Sequence, residues 1–352
     1  MQNPSTTTAG APLSTTGVRH RGAIWTLLLL APVICEVLSG ATRLSVLFAL
    51  IPEVMVWGVG ALLAREVVRR WRAGGVSLLM IGLALSIAEE IIIQQTSLAP
   101  LPFSSANAAY GRYLGVNWVY FLFMLGYESV WVVLVPVQVT ELLFPAQRDQ
   151  PWLRTRGLIV TVLVFLLGCR IAWYAWTQRA LKRLGVAPYH PPLLTIALGL
   201  TSIAALVLLA WLLRDLGHSG RSLVQNAWSP WIVTIVAIIM SAGWFKLIVL
   251  VFTPHPSAPA SIAIASGCAW ALIAIVFVLF LSAGRGWNDK HRWALSFGAI
   301  FACMACSSLS SAGYLHMDFI FKNVVDLIAL AGLLLLGRRV WHRLKPPPAL
   351  NS

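Results

Sequence analysis

Two adjacent glutamates, Glu89 and Glu90, sit in an apolar run of the chain. Two close carboxylates repel when both are ionised, so one of them keeps its proton more readily, and such a carboxyl is suited to carrying protons. Ser86, Glu90 and Gln94 recur at i, i+4 and i+8, which on a helix forms a polar stripe with Glu89 about 100° to one side. Other apolar runs also hold ionisable residues: the acids Glu36, Glu53, Glu128 and Asp326, and the cations Arg170, Lys246 and Lys322. Buried charges are commonly paired, so these cations are expected as counter-ions to the carboxylates of the first four runs. Six acids against three cations leave some carboxylates to be protonated, solvated or bound to a cation. The chemistry implied is proton transfer or recognition of a cationic group. Its candidate residues are Glu89, Glu90, Gln94, Glu36, Glu128, Arg170, Lys246 and Asp326.

Prolines lie near three of the acids. Pro32 comes four residues before Glu36, Pro52 immediately precedes Glu53, and Pro136 follows Glu128 by eight. Proline has no N–H to donate, which frees the carbonyl four residues back, and interrupted helices of this kind coordinate ions or substrates in transporters. The Cys303-Met-Ala-Cys306 spacing would suit a thiol oxidoreductase, but it lies about ten residues into a helix, where nothing activates a thiol. It reads as packing in a Ser/Ala/Gly-rich stretch where membrane helices approach closely. The Glu-Glu pair invites comparison with the intramembrane CAAX-protease-like family, whose motif begins Glu-Glu-x-x-x-Arg. Here Ile91, Ile92, Ile93 and Gln94 follow, and all seven histidines fall in tails, loops or helix edges, so neither that chemistry nor any metal or other cofactor is expected.

The elements that must hold these residues follow from composition. The 352 residues are 59% hydrophobic and only 11% charged, whereas a soluble domain carries about 25% charged residues. An integral membrane protein follows. Ten windows are long enough to cross a bilayer: 24–40, 45–64, 76–96, 117–139, 157–177, 192–213, 230–252, 261–283, 293–313 and 319–337. The expected fold is all-α and polytopic, with about ten transmembrane helices in one bundle over 23–339, and tails at 1–22 and 340–352. Eighteen of the 26 Lys/Arg fall on the side of the two termini and five on the other. That places both termini in the cytoplasm and the protein in the cell membrane. Trp25, Trp118, Trp173, Trp176, Trp211, Trp228, Trp231 and Trp293 fall near predicted helix ends, where indoles favour the interface.

With that orientation Glu36, Glu89, Glu90, Arg170, Lys246 and Asp326 belong to the outer half, and Glu128 lies nearer the midplane. These depths imply an outward-facing polar cavity in a permease or transporter-like protein, proton-linked through Glu89 and Glu90. The alternatives are an intramembrane enzyme acting on a lipid or lipid-linked substrate, and a structural or accessory subunit. Membrane lipids and a small-molecule or lipid ligand are the expected partners. Nucleic acid is excluded, because the basic loops are too short to form a reading module. The segment from Ser97 to Asn117 is longer than most helix connections and forms an ordinary surface loop, an interfacial helix or a lid.

Overall fold

In hydrocarbon a backbone has no water to bond and must satisfy its own N–H and C=O groups, and this chain does so with helices. The computed structural model describes residues 20–99, 110–180, 182, 185, 190–217, 223–253, 255–309 and 311–344. The first helix, α1, spans Arg21–Pro32 and continues as the π-helical turn Val33–Val37. The others are α2 (Leu44–Arg70), α3 (Gly75–Ile93), α4 (Trp118–Leu143), α5 (Thr155–Arg179), α6 (Leu193–Leu212), α7 (Pro230–Phe252), α8 (Ala260–Ser282), α9 (Asp289–Leu309) and α10 (His316–Arg343). Among the described residues α2 to α10 are each long and apolar enough to cross a membrane. The tenth expected span is α1, which lies at the short end of the range that reaches across a bilayer, about 17 to 25 residues.

The protein is therefore an all-α, multi-pass membrane protein. The second window ends at 64, whereas α2 continues to Arg70 and so carries Arg65, Glu66 and Arg69 on a helix rather than in a loop. The expected tails end at 22 and begin at 340; α1 starts at Arg21 and α10 runs on to Arg343.

The central helix is α4, which packs against α1, α2, α3, α7, α8, α9 and α10. Its start is fixed by Asn117, whose side chain accepts a 3.0 Å bond from the backbone N–H of Tyr120, a helix cap. The longest pairings are α7 with α9 and α3 with α6. Helices α5, α6 and α8 are outer staves, each with 11% of its most apolar stretch buried.

Close approach is secured by tryptophans lying on glycines. Trp244 covers Gly126 and donates to the Phe123 carbonyl at 3.0 Å; Trp270 covers Gly243 and donates to that of Met240 at 2.9 Å; Trp293 covers Gly337 and donates to that of Leu333 at 2.8 Å. These indoles join α4 to α7, α7 to α8, and α9 to α10. Trp293 is thus a core residue at 3% exposure, whereas Trp25, Trp118, Trp211, Trp228 and Trp231 are exposed as an interfacial belt requires.

Candidate functional site

Five glutamates converge where four helices carry widened turns. Glu36 lies in the π-turn Val33–Val37 of α1, Glu53 immediately precedes the π-turn Val54–Gly58 of α2, Glu89 and Glu90 lie in Ala88–Ile93 of α3, and Glu128 opens Glu128–Leu134 of α4. In each turn a backbone N–H reaches back five residues: Leu38 to Val33, Val59 to Val54, Gln94 to Glu89 and Val135 to Val130. Such turns are rare in helices and concentrate at functional sites.

Proline contributes at α1. Pro32 cannot donate to the Leu28 carbonyl, and that carbonyl is pressed against Gly58, where any Cβ would collide with it. The first two helices therefore meet backbone to backbone beside the site.

Hydroxyls and an indole supply part of the carboxylates' hydrogen bonding. Glu36 accepts from the Trp57 indole at 2.6 Å, and Glu53 accepts from the Thr42 hydroxyl. One oxygen of Glu90 accepts from the hydroxyls of Thr96 at 2.7 Å and Ser97 at 2.5 Å. Its other oxygen, both oxygens of Glu89 and one of Glu53 are buried with no partner among the described residues. Glu89 is 2% exposed and Glu90 fully buried. Glu128 lies beside the Ser86 hydroxyl and within electrostatic range of Glu89, Glu90 and Glu36; Glu36 in turn is in range of Glu53. Among the described residues no Lys, Arg or His pairs with any of the five.

The outer rim of this cluster is closed by chain. Ser97, Leu98, Ala99 and Asn117 are buried; Ser97 accepts from the Asn117 N–H at 2.9 Å, and Arg112 donates to the carbonyls of Leu98 and Ala99. The two ends of this long connection thus cover the cluster; its middle, 100–109, lies outside the described residues.

The expected counter-ions are elsewhere. Arg170 is exposed on α5 with its guanidinium over the rings of Trp173 at 4.6 Å and Tyr174 at 5.8 Å. Lys246 is exposed on α7 between buried Phe245 and Leu247. Both carry long apolar stems that let a charge sit on an outer face and reach for the interface, so neither had to turn inward. Lys322 pairs with Asp326 one turn along α10, with the Ser308 hydroxyl at 3.2 Å on the same carboxylate. Asp326 and Lys322 form a site of their own. Gln94 ends α3, half-buried, with its backbone N–H on the Glu89 carbonyl.

A second buried polar cluster, unexpected from the sequence, lies at the opposite end of α2. Arg65 is fully buried and uses all its donors: on Glu141 at 3.1 Å, on Glu66 at 3.4 Å, and on the carbonyls of Gln147, Arg148 and Gln150. Its guanidinium lies 3.3 Å over the Trp152 ring. Arg69 grips both oxygens of Glu141 at 2.6 and 2.7 Å, and Glu66 accepts from the N–H groups of Trp152 and Leu153. The signal was available in Glu66 and Arg70 at i, i+4 and in Glu141 near the end of the fourth run, but these residues read as loop charges. This saturated clasp fixes the connection between α4 and α5.

An apolar cavity of about 450 Å³ lies on the other side of α4, walled by Gly126, Ser129, Trp131, Trp244 and Trp270 among others. Glu128 is not in its wall. No group of three or more His, Cys, Asp or Glu among the described residues is arranged to hold a metal ion. The five cysteines are free thiols, Cys303 and Cys35 buried.

Fold and site together define a polytopic helical membrane protein with a carboxylate cluster inside it. Residues 26–175 match the model of an uncharacterized membrane protein family. That stretch runs from Thr26 within α1 through most of α5 and contains all five glutamates and the clasp. Comparison with curated proteins and with solved structures gave no match.

Proposed function

We propose that this protein is a proton-linked permease or transporter-like protein of the cell membrane, with both termini cytoplasmic, in which Glu89 and Glu90 carry the proton. The observation that carries the reading is a cluster of five carboxyls, Glu89, Glu90 and Glu128 buried and Glu36 and Glu53 half-buried, with no cation among the described residues and centred on a Glu89 whose oxygens have no partner there. An ionised side chain at membrane depth costs about 2.5 to 3.5 kcal/mol even on insertion scales. The cluster is therefore stable only while most of its members hold protons or share a cationic ligand. Uptake and release of those protons changes the repulsion among α1, α2, α3 and α4, and the widened turns are places where these helices can adjust. The cover over Glu90 makes this an occluded arrangement.

Positive residues supply the orientation. The clasp and the basic loops share one end, which the positive-inside rule assigns to the cytoplasm, leaving the glutamates toward the outside. An enzyme acting on lipid draws support from the apolar cavity, but α4 stands between that cavity and the carboxyls.

A hydrophobic carbodiimide reacts with protonated carboxyls reachable from the membrane. Labelling of the purified protein across a pH series, mapped by mass spectrometry, is expected at Glu89 or Glu90 and is expected to fade as pH rises. Absence of labelling at Glu89, Glu90, Glu36 and Glu128 at every pH would remove the cluster from proton transfer and favour an accessory, structural role.

A further inference from the structure

At the basic end of the bundle three indoles form a cage. Trp231 at the start of α7, Trp293 at the start of α9 and Trp341 near the end of α10 meet pairwise, with ring centroids 5.2 to 6.4 Å apart. Together with Leu334, Gly337 and Arg338 they wall a cavity of about 200 Å³. Gly337 leaves the space that the Trp293 ring occupies. Trp293 spends its N–H on Leu333, but the indoles of Trp231 and Trp341 make no hydrogen bond among the described residues.

Charge is one-sided here. Arg338 is exposed at the cavity wall with no ion pair among the described residues, and the Lys290 ammonium stands 5.6 Å from the Trp341 ring. The neighbouring acid, Asp289, is taken by Arg148 through two bonds of 2.8 Å. Two free indole donors, a free guanidinium and an apolar floor at the depth of helix ends match a phosphate joined to acyl chains. We infer that this cage binds the headgroup of an anionic phospholipid, with the phosphate on Arg338 and the indole N–H groups of Trp231 and Trp341, and the chains descending along Leu334.

A basic side chain near an anionic membrane surface contributes about fivefold in binding. The purified protein in mild detergent is titrated with phosphatidylglycerol or phosphatidylcholine, and retained lipid is counted by native mass spectrometry. Expected is a preference for phosphatidylglycerol that falls about fivefold in Arg338→Gln and falls also in Trp231→Phe, which keeps the ring and loses the donor. Arg156→Gln, which removes an exposed charge at the same end but outside the cage, should leave the preference intact. Arg338 is exposed, so its variant is expected to fold, and an unchanged melting temperature without added lipid checks this. Three results would each overturn the inference: no preference in the unaltered protein, an equal loss in Arg156→Gln, or displacement of phosphatidylglycerol by millimolar inorganic phosphate. The last would assign the cage to free anions.

Discussion

Glu89 and Glu141 are both buried glutamates in membrane helices, yet their amide substitutions should behave oppositely. Glu141, 5% exposed, receives Nε and Nη2 of Arg69 at 3.0, 2.6 and 2.7 Å and Nε of Arg65 at 3.1 Å. In Glu141→Gln the anion disappears while Arg65, fully buried, keeps its charge and faces an amide that also carries donors. Breaking a buried pair by removing one partner costs about 3 to 5 kcal/mol. Glu89 has no donor on either oxygen among the described residues, so Glu89→Gln removes no hydrogen bond and no attraction seen there, and exchanges a neutral carboxyl for a neutral amide of the same shape. Its stability should stay within about 1 kcal/mol of the parent protein, in either direction. Reversible unfolding in mixed micelles of dodecyl sulfate and a mild detergent, followed by tryptophan fluorescence, measures both. A gap of about 2 to 6 kcal/mol between the variants is expected. A loss in Glu89→Gln as large as that in Glu141→Gln would show Glu89 to be an ionised, paired carboxylate and would refute the reasoning about the cluster.

Gly58→Ala drives a methyl into the Leu28 carbonyl and should cost about 1 to 3 kcal/mol in the same unfolding assay; no loss would mean that α1 and α2 part freely. Lys322→Met leaves Asp326 without its cation and should cost about 3 kcal/mol, with Lys322→Met/Asp326→Leu recovering most of it. Trp244→Phe removes the donor to Phe123 and should cost about 1 kcal/mol, whereas Gly126→Ala should do more harm because the indole has nowhere to move. A hydrophobic maleimide should modify exposed Cys268 well before buried Cys35 and Cys303, as read by peptide mapping; equal rates would contradict the burial of both thiols.

The class of fold was legible because the span rule needs only length and apolarity, and no soluble alternative can hide so many apolar residues. Which carboxylates would share a neighbourhood was partly legible. Glu36, Glu89, Glu90 and Glu128 share one region because helix direction and charge bias set their depth. Partner identity was not. Arg170 and Lys246 look like counter-ions in a linear reading, but which face of a helix turns outward depends on packing partners far away in sequence. Widened turns leave no composition signal apart from Pro32 and Pro52, and Glu128 begins one with no proline before it. Arg65 escaped notice because the apolar window ends near Leu63, while the helix runs on to Arg70, held by a clasp that only the folded chain assembles.

The central position of α4 has a consequence for the order in which the protein is made. When α4 leaves the ribosome, α7, α8, α9 and α10 have not been synthesised, and the face that they later cover must wait. That face is built of Leu122, Leu125, Gly126, Ser129 and Val130, small or apolar residues that lipid tolerates. Glu141, the residue of α4 that tolerates waiting least, finds Arg65 and Arg69 on α2, already made. A growing chain can thus neutralise the charges of the clasp by the time the α4–α5 connection appears, well before the second half of the bundle closes around it.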